Sequence, residues 1–186
     1  NVGKLSAKKA EEKIAENQKN YVLKINFRNK KTEKISANEI DMSYVPDGQV
    51  EDLLKKQKAS TWFKNYLFNH KGNKKTLKTK ASYDADKLKT VLYATNEMKD
   101  ENQVAPTNAR LKYSDSKFSV EKEKQGNEVN KEVVYNAVND AISKQAASIN
   151  LKSVKDAYKT PTKTTKDVKN EAATLDKYMK TSITYE

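Results

Sequence analysis

The sequence has no cysteine, which excludes disulfides, thiolate metal sites and a cysteine nucleophile from this chain. Glycine is scarce, with four isolated copies, and neither GxGxxG nor GxxxxGK(S/T) occurs, so no glycine-rich loop is present to cradle a phosphate. The only histidine, His70, stands in a polar loop, and the HExxH, EF-hand and GxSxG patterns are missing. We therefore expect no cofactor, no metal site and no catalytic residue, and hence no enzyme activity within this chain.

Long hydrophobic runs are missing as well. The longest stretch without a charged residue, 102–109, falls far short of the roughly 18 apolar residues that a membrane span needs. No signal peptide is visible. We expect no membrane contact by this chain. Because it begins with Asn1, we also expect a processed or excised piece whose targeting segments have been removed.

Arginine is rare in an otherwise basic chain. The formal net charge is +12, yet only Arg28 and Arg110 among the 37 basic residues are arginine. Sequence-specific nucleic-acid recognition favours the bidentate guanidinium group, so we do not expect a nucleic-acid partner. The lysines are spread along the chain among 25 acidic residues, which indicates a solvated surface that would also suit anionic wall polymers.

Pairs of carboxylates are present, as general acid–base catalysis would need. They stand at predicted helix beginnings or on exposed faces, where capping and the helix dipole account for them. The two carboxylates of a glycosidase face each other across a cleft, which sequence spacing does not reveal. We therefore interpret the pairs Glu11–Glu12, Glu51–Asp52 and Asp84–Asp86 as structural.

The apolar spacing predicts an α+β fold in which short helices pack on antiparallel β-hairpins. Hydrophobic residues make up 35% of the chain and charged residues 33%, so we expect a modest core under a heavily solvated surface. Helices are predicted after the N-caps Ser6, Asp84 and Thr164 or Thr165, and over 131–145. Strands are predicted over 21–27, 32–35, 77–83, 109–114, 117–123 and 147–151, with another beginning at 182.

We interpret residues 1–186 as a single module, with an alternative division into two successive lobes. The first lobe would hold a helix, a hairpin and further helices over 1–70. The second would hold a strand, a helix, a hairpin and a helix over 71–180. Residues 181–186 would begin a segment that leads to a further domain.

The stretch 41–63 concentrates rare residues. Pro46-Asp47-Gly48 predicts a turn, because proline presets φ and glycine accepts a positive φ. A short helix follows, and Trp62 then begins an apolar stripe that continues with Phe63, Tyr66 and Leu67. Trp62 could stack on a sugar ring or a peptide, but we favour a core position. Tyr44 and Tyr158, each beside a proline-bearing loop, are predicted to be exposed. With Trp62 they are the three candidate ligand-binding residues.

Several landmarks occur in an order that resembles a known family. The relevant segments are VGKLSAKKAEEKI, YVLKINFRNKKTEKISANEIDMSYVPDGQVEDLLKKQKASTWF, NARLKYSDSKFSVEKEKQGNEVN and INLKSVKDAYKTP. They resemble the peptidoglycan-binding domain that precedes the catalytic domain of Gram-positive L,D-transpeptidases and that also occurs in vancomycin-resistance-associated W-type surface proteins. The resemblance covers nearly the whole chain. Its landmarks are Gly3-x-Leu5-Ser6, Ile40, Tyr44, the Asp47-Gly48 turn, Leu53-Leu54, Trp62, Asn108-Ala109, Gly126 and Tyr158-x-x-Pro161.

The resemblance implies an extracytoplasmic, cell-wall module whose parent protein is anchored by an N-terminal transmembrane segment. The parent's reaction would cross-link peptidoglycan through an acyl-enzyme on the cysteine of a His-x-x-Ser-His-Gly-Cys motif. Nothing in this chain matches that motif, so no catalytic residue carries over. The downstream catalytic domain would be a partner within the parent protein.

Our main hypothesis is therefore a non-catalytic module that binds peptidoglycan, through its glycan strands or its stem peptides, and so orients a transpeptidase. Aromatic faces would stack on sugars, and asparagine and lysine side chains would hydrogen-bond stem peptides or the muramyl carboxylate. The alternative is a structural spacer or interaction domain of a W-type surface protein without transpeptidase activity.

Overall fold

The computed structural model describes residues 5–56, 79–114 and 117–179, and within them the predicted α+β class is confirmed. None of the helices in these ranges is long and apolar enough to cross a membrane. The helices are α1 (Ala7–Lys19), α2 (Gln49–Lys56), α3 (Ala85–Ala94), α4 (Lys131–Ser143) and α5 (Thr165–Met179). The strands are β1 (Val22–Asn26), β2 (Thr32–Ser36), β3 (Ser43–Val45), β4 (Lys80–Ser82), β5 (Arg110–Ser114), β6 (Lys117–Glu121) and β7 (Ser148–Asn150).

Helices α1 and α3 begin at the side-chain caps that the sequence predicts. Ser6 Oγ accepts a hydrogen bond from the backbone N–H of Lys9, at 3.4 Å. Asp84 Oδ1 accepts from the backbone N–H groups of Asp86 and Lys87, at 2.9 and 3.0 Å. Each cap satisfies backbone donors that have no partner inside the helix, which is why these residues start the helices where they do.

Two threonines were predicted as alternative N-caps of α5, and Thr164 is the one that forms the capping hydrogen bonds. Its backbone N–H and hydroxyl both donate to Asp167 Oδ2, at 2.8 and 2.6 Å, and Asp167 N–H donates back to Thr164 Oγ1 at 3.5 Å. These bonds lower the pKa of Asp167, the hydroxyl bond being the largest cause. The side chain of Thr165 instead donates to Glu123, which therefore also lies at the beginning of α5.

The strands form three small sheets. One has three strands in the order β2-β1-β7, and the predicted alternation of β1 is confirmed, because Leu23 and Ile25 are buried together with Ile35 of β2. The β3–β4 pair is antiparallel and places Tyr44 opposite Ala81. The β5–β6 pair is the predicted second hairpin and is also antiparallel.

Two local features shape the stretch 36–50. Ser36 and Glu39 form a capping box over a single 3₁₀ turn, in which Glu39 Oε2 accepts from Ser36 N–H and Oγ at 2.7 and 2.6 Å. Gly48 adopts φ +75°, the left-handed conformation that the predicted turn requires. Helix α2 starts immediately after it, and Val50 is buried.

The chain divides into two compact units that do not follow each other along the sequence. The first contains the described residues of Asn1–Ile25, Lys34–Leu92 and Asn139–Ile149, and the second those of Asn26–Glu33, Tyr93–Val138 and Asn150–Glu186. This division differs from two lobes over 1–70 and 71–180. Buried side chains of the first unit include Ala10, Leu23, Ile25, Ile35, Ile40, Leu88, Leu92 and Ile142. Those of the second include Met98, Val129, Val134, Val138, Leu151, Ala157 and Val168.

Some predicted features lie outside the described residues. They are the Trp62 stripe, the loop around His70, residues 77–78 of the strand predicted over 77–83, residues 115–116 between the strands predicted over 109–114 and 117–123, and the strand predicted from 182.

Candidate functional site

Tyr158 is buried, and the prediction that it is exposed was wrong. Only 6% of its surface is accessible, and its hydroxyl accepts a hydrogen bond from the backbone N–H of Arg28 at 2.8 Å. The Arg28 guanidinium carbon lies 4.0 Å from the centroid of the ring, a cation–π contact. Burial raises the pKa of the Tyr158 hydroxyl, and the hydrogen bond from Arg28 opposes that rise. Because Arg28 occupies both the hydroxyl and one ring face, Tyr158 is not an open platform for a ligand.

Gly126 belongs to the same cluster. Its carbonyl oxygen accepts a hydrogen bond from Arg28 Nη1 at 2.7 Å. A Cβ atom at this position would lie 2.0 Å from the carbonyl oxygen of Val104 and 2.6 Å from the carbonyl carbon of Ala105. Only glycine fits against this backbone. The landmarks Gly126 and Tyr158 both contact Arg28, and this cluster stabilises the second unit.

The landmark Asn108-Ala109 is also structural. Asn108 Oδ1 accepts from the backbone N–H groups of Thr162 and Lys163, at 2.8 and 3.2 Å. The backbone N–H of Ala109 donates to the carbonyl oxygen of Lys163 at 3.0 Å. These bonds fasten the segment before β5 to the segment before α5.

Tyr44 is the one candidate ring that the structure describes as partly exposed. It lies on β3 in the first unit, and burial is the largest cause that raises the pKa of its hydroxyl, followed by the negative charges of Glu11 and Asp47. Its role as a ligand contact stays a prediction. Trp62 lies outside the described residues.

The acidic residues considered as catalytic candidates cap a helix or form ion pairs where the structure describes their partners. Asp84 caps α3, as given above. Glu51 lies in the first turn of α2, where it faces Lys55 one turn later, with 3.5 Å between Oε2 and Nζ. Asp41 pairs with Lys87, and this ion pair raises the pKa of the Lys87 ammonium.

A cavity of about 300 Å³ lies in the first unit. Six of the described residues line it and none of them is charged; five are polar and neutral, and the sixth is apolar. Helix α1 supplies half of them, and the others come from the residues just after α1, before β4 and after α4. The six are Ile14, Asn17, Gln18, Tyr21, Thr79 and Gln145.

Parts of this wall are held in place by hydrogen bonds. Gln145 Nε2 donates to the carbonyl oxygen of Thr79 at 2.7 Å, and Thr79 Oγ1 donates to Gln145 Oε1 at 3.2 Å. The Tyr21 hydroxyl donates to the carbonyl oxygen of Ala146 at 2.8 Å. Gln145 adopts φ +51°, a conformation that glycine usually supplies after a helix. The chain thus carries an amide side chain at a position where backbone conformation alone would favour glycine.

Gln18 is the exceptional residue of the wall. It is 5% exposed, and within the described part of the chain neither its Oε1 nor its Nε2 has a hydrogen-bond partner. A buried polar group without a partner costs about 1–3 kcal/mol, so such a group calls for an explanation. The sequence contains a signal for it, because Gln18 continues the stripe of Ala10 and Ile14 at four-residue spacing. A polar residue on an apolar helix face was the clue that sequence reasoning missed.

The surroundings of the cavity disfavour charge. Burial raises the pKa of the Tyr21 hydroxyl to about 12, and the neighbouring Tyr83 adds to the shift. The neutral phenol is therefore favoured over the phenolate here, as expected where water is partly excluded. A ligand group that enters this cavity should be neutral and able to form hydrogen bonds.

A second concave surface, of about 580 Å³, lies on the β5–β6 hairpin in the second unit. The Arg110 guanidinium there is paired with Glu121, with 2.7 Å between Nε and Oε2, and this bond lowers the pKa of the carboxyl group. Tyr113 is 54% exposed and contacts the ring of Phe118, with 4.9 Å between centroids. Arg110 of this surface already has an anion partner, and among the described residues of this hairpin no buried polar side-chain atom is without a hydrogen-bond partner.

A family model described as "Putative peptidoglycan binding domain" matches residues 33–150, which is more than half of the chain. Comparison with curated proteins gives no significant match, and comparison with solved structures gives none either. Of the cavity wall, Thr79 and Gln145 lie inside the matched range, and the α1 residues and Tyr21 precede it. The chain therefore belongs to the putative peptidoglycan binding domain family.

Proposed function

We propose that this chain is a non-catalytic module that binds peptidoglycan and orients an L,D-transpeptidase in the same parent protein. The family match over residues 33–150 carries the peptidoglycan part of this proposal. The transpeptidase part rests on the resemblance of the ordered landmarks described above. The module acts outside the cytoplasm at the cell wall, in a Gram-positive parent anchored by an N-terminal transmembrane segment.

Two kinds of interaction support binding. The lysine excess behind the net charge of +12 attracts anionic wall polymers and keeps the module near the wall. This attraction is non-specific and weakens with salt, because the screening length falls from about 10 Å at 0.1 M to about 3 Å at 1 M. The neutral cavity of the first unit supplies short-range recognition that salt does not screen. Single contacts of these kinds are weak, so the tether of the parent protein contributes through effective concentration.

Sedimentation with purified sacculi tests this function. The chain is mixed with sacculi that retain their anionic polymers and with sacculi from which these were removed, at ~0.05 M and ~0.5 M salt. We expect the chain to pellet with both preparations, and a salt-resistant fraction to remain on the stripped sacculi. A chain that stays in the supernatant throughout would instead favour a spacer role, as in a W-type surface protein.

A second measurement addresses catalysis. The purified chain is incubated with muropeptides, and the products are separated by mass. We expect the muropeptides to be unchanged, because the L,D-transpeptidase motif His-x-x-Ser-His-Gly-Cys does not occur in this sequence. Cleaved or joined muropeptides would overturn the assignment as a non-catalytic module.

A further inference from the structure

The cavity of the first unit has hydrogen-bonding capacity that the protein itself does not use. Gln18 offers one carbonyl oxygen and two N–H groups, and within the described residues none of them has a partner. The Tyr21 hydroxyl donates to Ala146, which leaves its oxygen able to accept. Gln145 uses one N–H toward Thr79 and has a second on the same nitrogen. The wall therefore contains both donors and acceptors, and the Gln18 amide atoms, which have almost no accessible surface, reach a ligand when the side chain turns.

The charge of the wall limits what can enter. None of the six lining residues is ionisable at neutral pH, so a carboxylate or ammonium group that entered would be desolvated without a counter-ion. A hydroxyl group alone would satisfy only part of the Gln18 amide. A secondary amide has one carbonyl acceptor and one N–H donor, which point to opposite sides in its trans form. One of them can therefore bind the Gln18 amide while the other binds a second group of the wall, such as the Tyr21 oxygen or the second N–H of Gln145.

We propose that this cavity is the subsite for a neutral secondary amide of peptidoglycan, with Gln18 as the residue that binds it. The inference rests on the function proposed above and names the chemical group recognised. Peptidoglycan has such groups in two places, the acetamido groups of its amino sugars and the peptide bonds of its stems. Gln18 has three side-chain torsions, so its amide can turn toward a ligand without any movement of α1.

The same arrangement explains why the unpartnered amide is retained. An apolar residue of similar size at this position would remove a buried unpaired group and would not lower the stability of the fold. Binding sites are where such local conflicts are expected, because function there outweighs stability. The fixed neighbours Tyr21 and Gln145 hold the rest of the wall, so that the glutamine amide is the adaptable element.

The test compares Gln18→Leu with wild-type chain in sacculus sedimentation and in titrations with soluble probes. The probes are a β-1,4-linked N-acetylglucosamine oligomer, a β-1,4-linked glucose oligomer of equal length as the amide-free control, and an L-Ala–D-isoGln–L-Lys–D-Ala stem peptide. We expect Gln18→Leu to weaken binding about tenfold, the effect of losing one buried hydrogen-bond partner. We expect its melting temperature to stay the same or rise.

Gln103→Leu is the matched control for stability. Gln103 Oε1 accepts from the backbone N–H of Val129 at 3.1 Å, and its Nε2 donates to the carbonyl oxygen of Glu97 at 3.5 Å. Its amide is thus satisfied within the second unit, and its removal should lower the melting temperature and leave sacculus binding unchanged. In the wild-type chain, the side-chain N–H signals of Gln18 in NMR should shift during titration with the probe that binds.

The outcomes separate the two proposals. Selective binding of the N-acetylglucosamine oligomer over the glucose oligomer would identify the acetamido group, and binding of the stem peptide would identify the peptide bond. Equal sacculus binding by wild type and Gln18→Leu would overturn the Gln18 subsite and leave the proposed function standing. A wild-type chain that does not sediment with sacculi would overturn the proposed function itself. A lower melting temperature of Gln18→Leu would show that the amide is satisfied inside the fold and would also overturn the inference.

Discussion

The Arg28 guanidinium lies 4.0 Å above the ring of Tyr158, and the backbone N–H of Arg28 donates to the hydroxyl of the same tyrosine at 2.8 Å. Arg28 thus contacts both the ring face and the hydroxyl of Tyr158. Arg28 also donates to the carbonyl oxygen of Gly126 at 2.7 Å, so three positions far apart in sequence meet in one cluster. The cluster gives a structural reason for two landmarks that a comparison of sequences would otherwise assign to ligand binding.

Tyr158→Phe should destabilise the protein by about 1–3 kcal/mol, because the backbone N–H of Arg28 loses its partner in a buried setting. Denaturant unfolding measures the loss. Tyr113→Phe is the control. Because Tyr113 is 54% exposed, loss of its hydroxyl should change the free energy of unfolding little. If Tyr158→Phe kept its stability but lost sacculus binding, the residue would be a ligand contact and our structural assignment would be wrong.

Gly126→Ala should destabilise the protein by about 2 kcal/mol or more, because the added methyl group would overlap the backbone of Val104 and Ala105. Gly48→Ala separates this steric effect from conformational strain. Gly48 has φ +75° and nothing within 4 Å of the added atom, so only the left-handed backbone penalty of about 1 kcal/mol applies. Thermal unfolding of the two variants compares the costs, and equal costs would contradict the close approach at Gly126.

Acid should destabilise the protein in part through Glu123. Its carboxylate accepts hydrogen bonds from the hydroxyl and the backbone N–H of Thr165, and the hydroxyl bond is the largest cause that lowers the pKa of Glu123. A pKa that is lower in the folded than in the unfolded state contributes stability at pH values above about 4.3, the ordinary value. This contribution is lost as the pH falls through the folded-state pKa.

Glu123→Gln should therefore flatten the acid limb of a plot of unfolding free energy against pH. Glu132→Gln, which removes an exposed carboxylate of α4, is the matched control. The same acid limb in both variants and in wild type would mean that the bonds to Thr165 do not contribute to stability.

Alkaline pH should destabilise the protein in part through Tyr21. Because burial raises its pKa to about 12 in the folded state, the unfolded chain loses this proton first as the pH rises above about 10. Stability that is present below pH ~10 therefore declines up to pH ~12. Tyrosinate absorbance should include a component that titrates near pH 12, and Tyr21→Phe should remove this component.

Tyr178→Phe, which removes a phenol that is 69% exposed, is the control for the alkaline experiment. If the late titration survived in Tyr21→Phe, another tyrosine would be responsible, and the cavity would be more open to water than its geometry indicates.

Some of the fold could be predicted from the sequence because its signals are local. Ser6 and Asp84 start helices through bonds to residues two or three positions away, and the alternation of Leu23 and Ile25 assigns one face of β1 to the core. Such signals need no knowledge of the rest of the chain. The α+β class and the helix over Lys131–Ser143 follow from them.

The site could not be predicted in the same way. Tyr44 and Tyr158 were chosen because rings beside proline-bearing loops are often exposed, and Trp62 because it could stack on a sugar ring or a peptide. Tyr158 proved to be buried against Arg28, a residue 130 positions away in the sequence. Gln18 was passed over, although it continues the stripe of Ala10 and Ile14, because a glutamine near the end of a helix is ordinarily exposed. Its significance depends on the absence of a partner among the described residues, which only coordinates reveal.

The sequence by itself determined the absence of cysteine chemistry, the net positive charge, the helix caps and turns, and the family to which the landmarks point. These depend on residue type and on neighbours a few positions apart. Only the tertiary structure decided that Gly126 and Tyr158 support Arg28, and that Tyr21, Gln145 and the unpartnered Gln18 share one neutral cavity. Those arrangements join residues more than a hundred positions apart, and packing between distant segments, which no periodicity encodes, sets them.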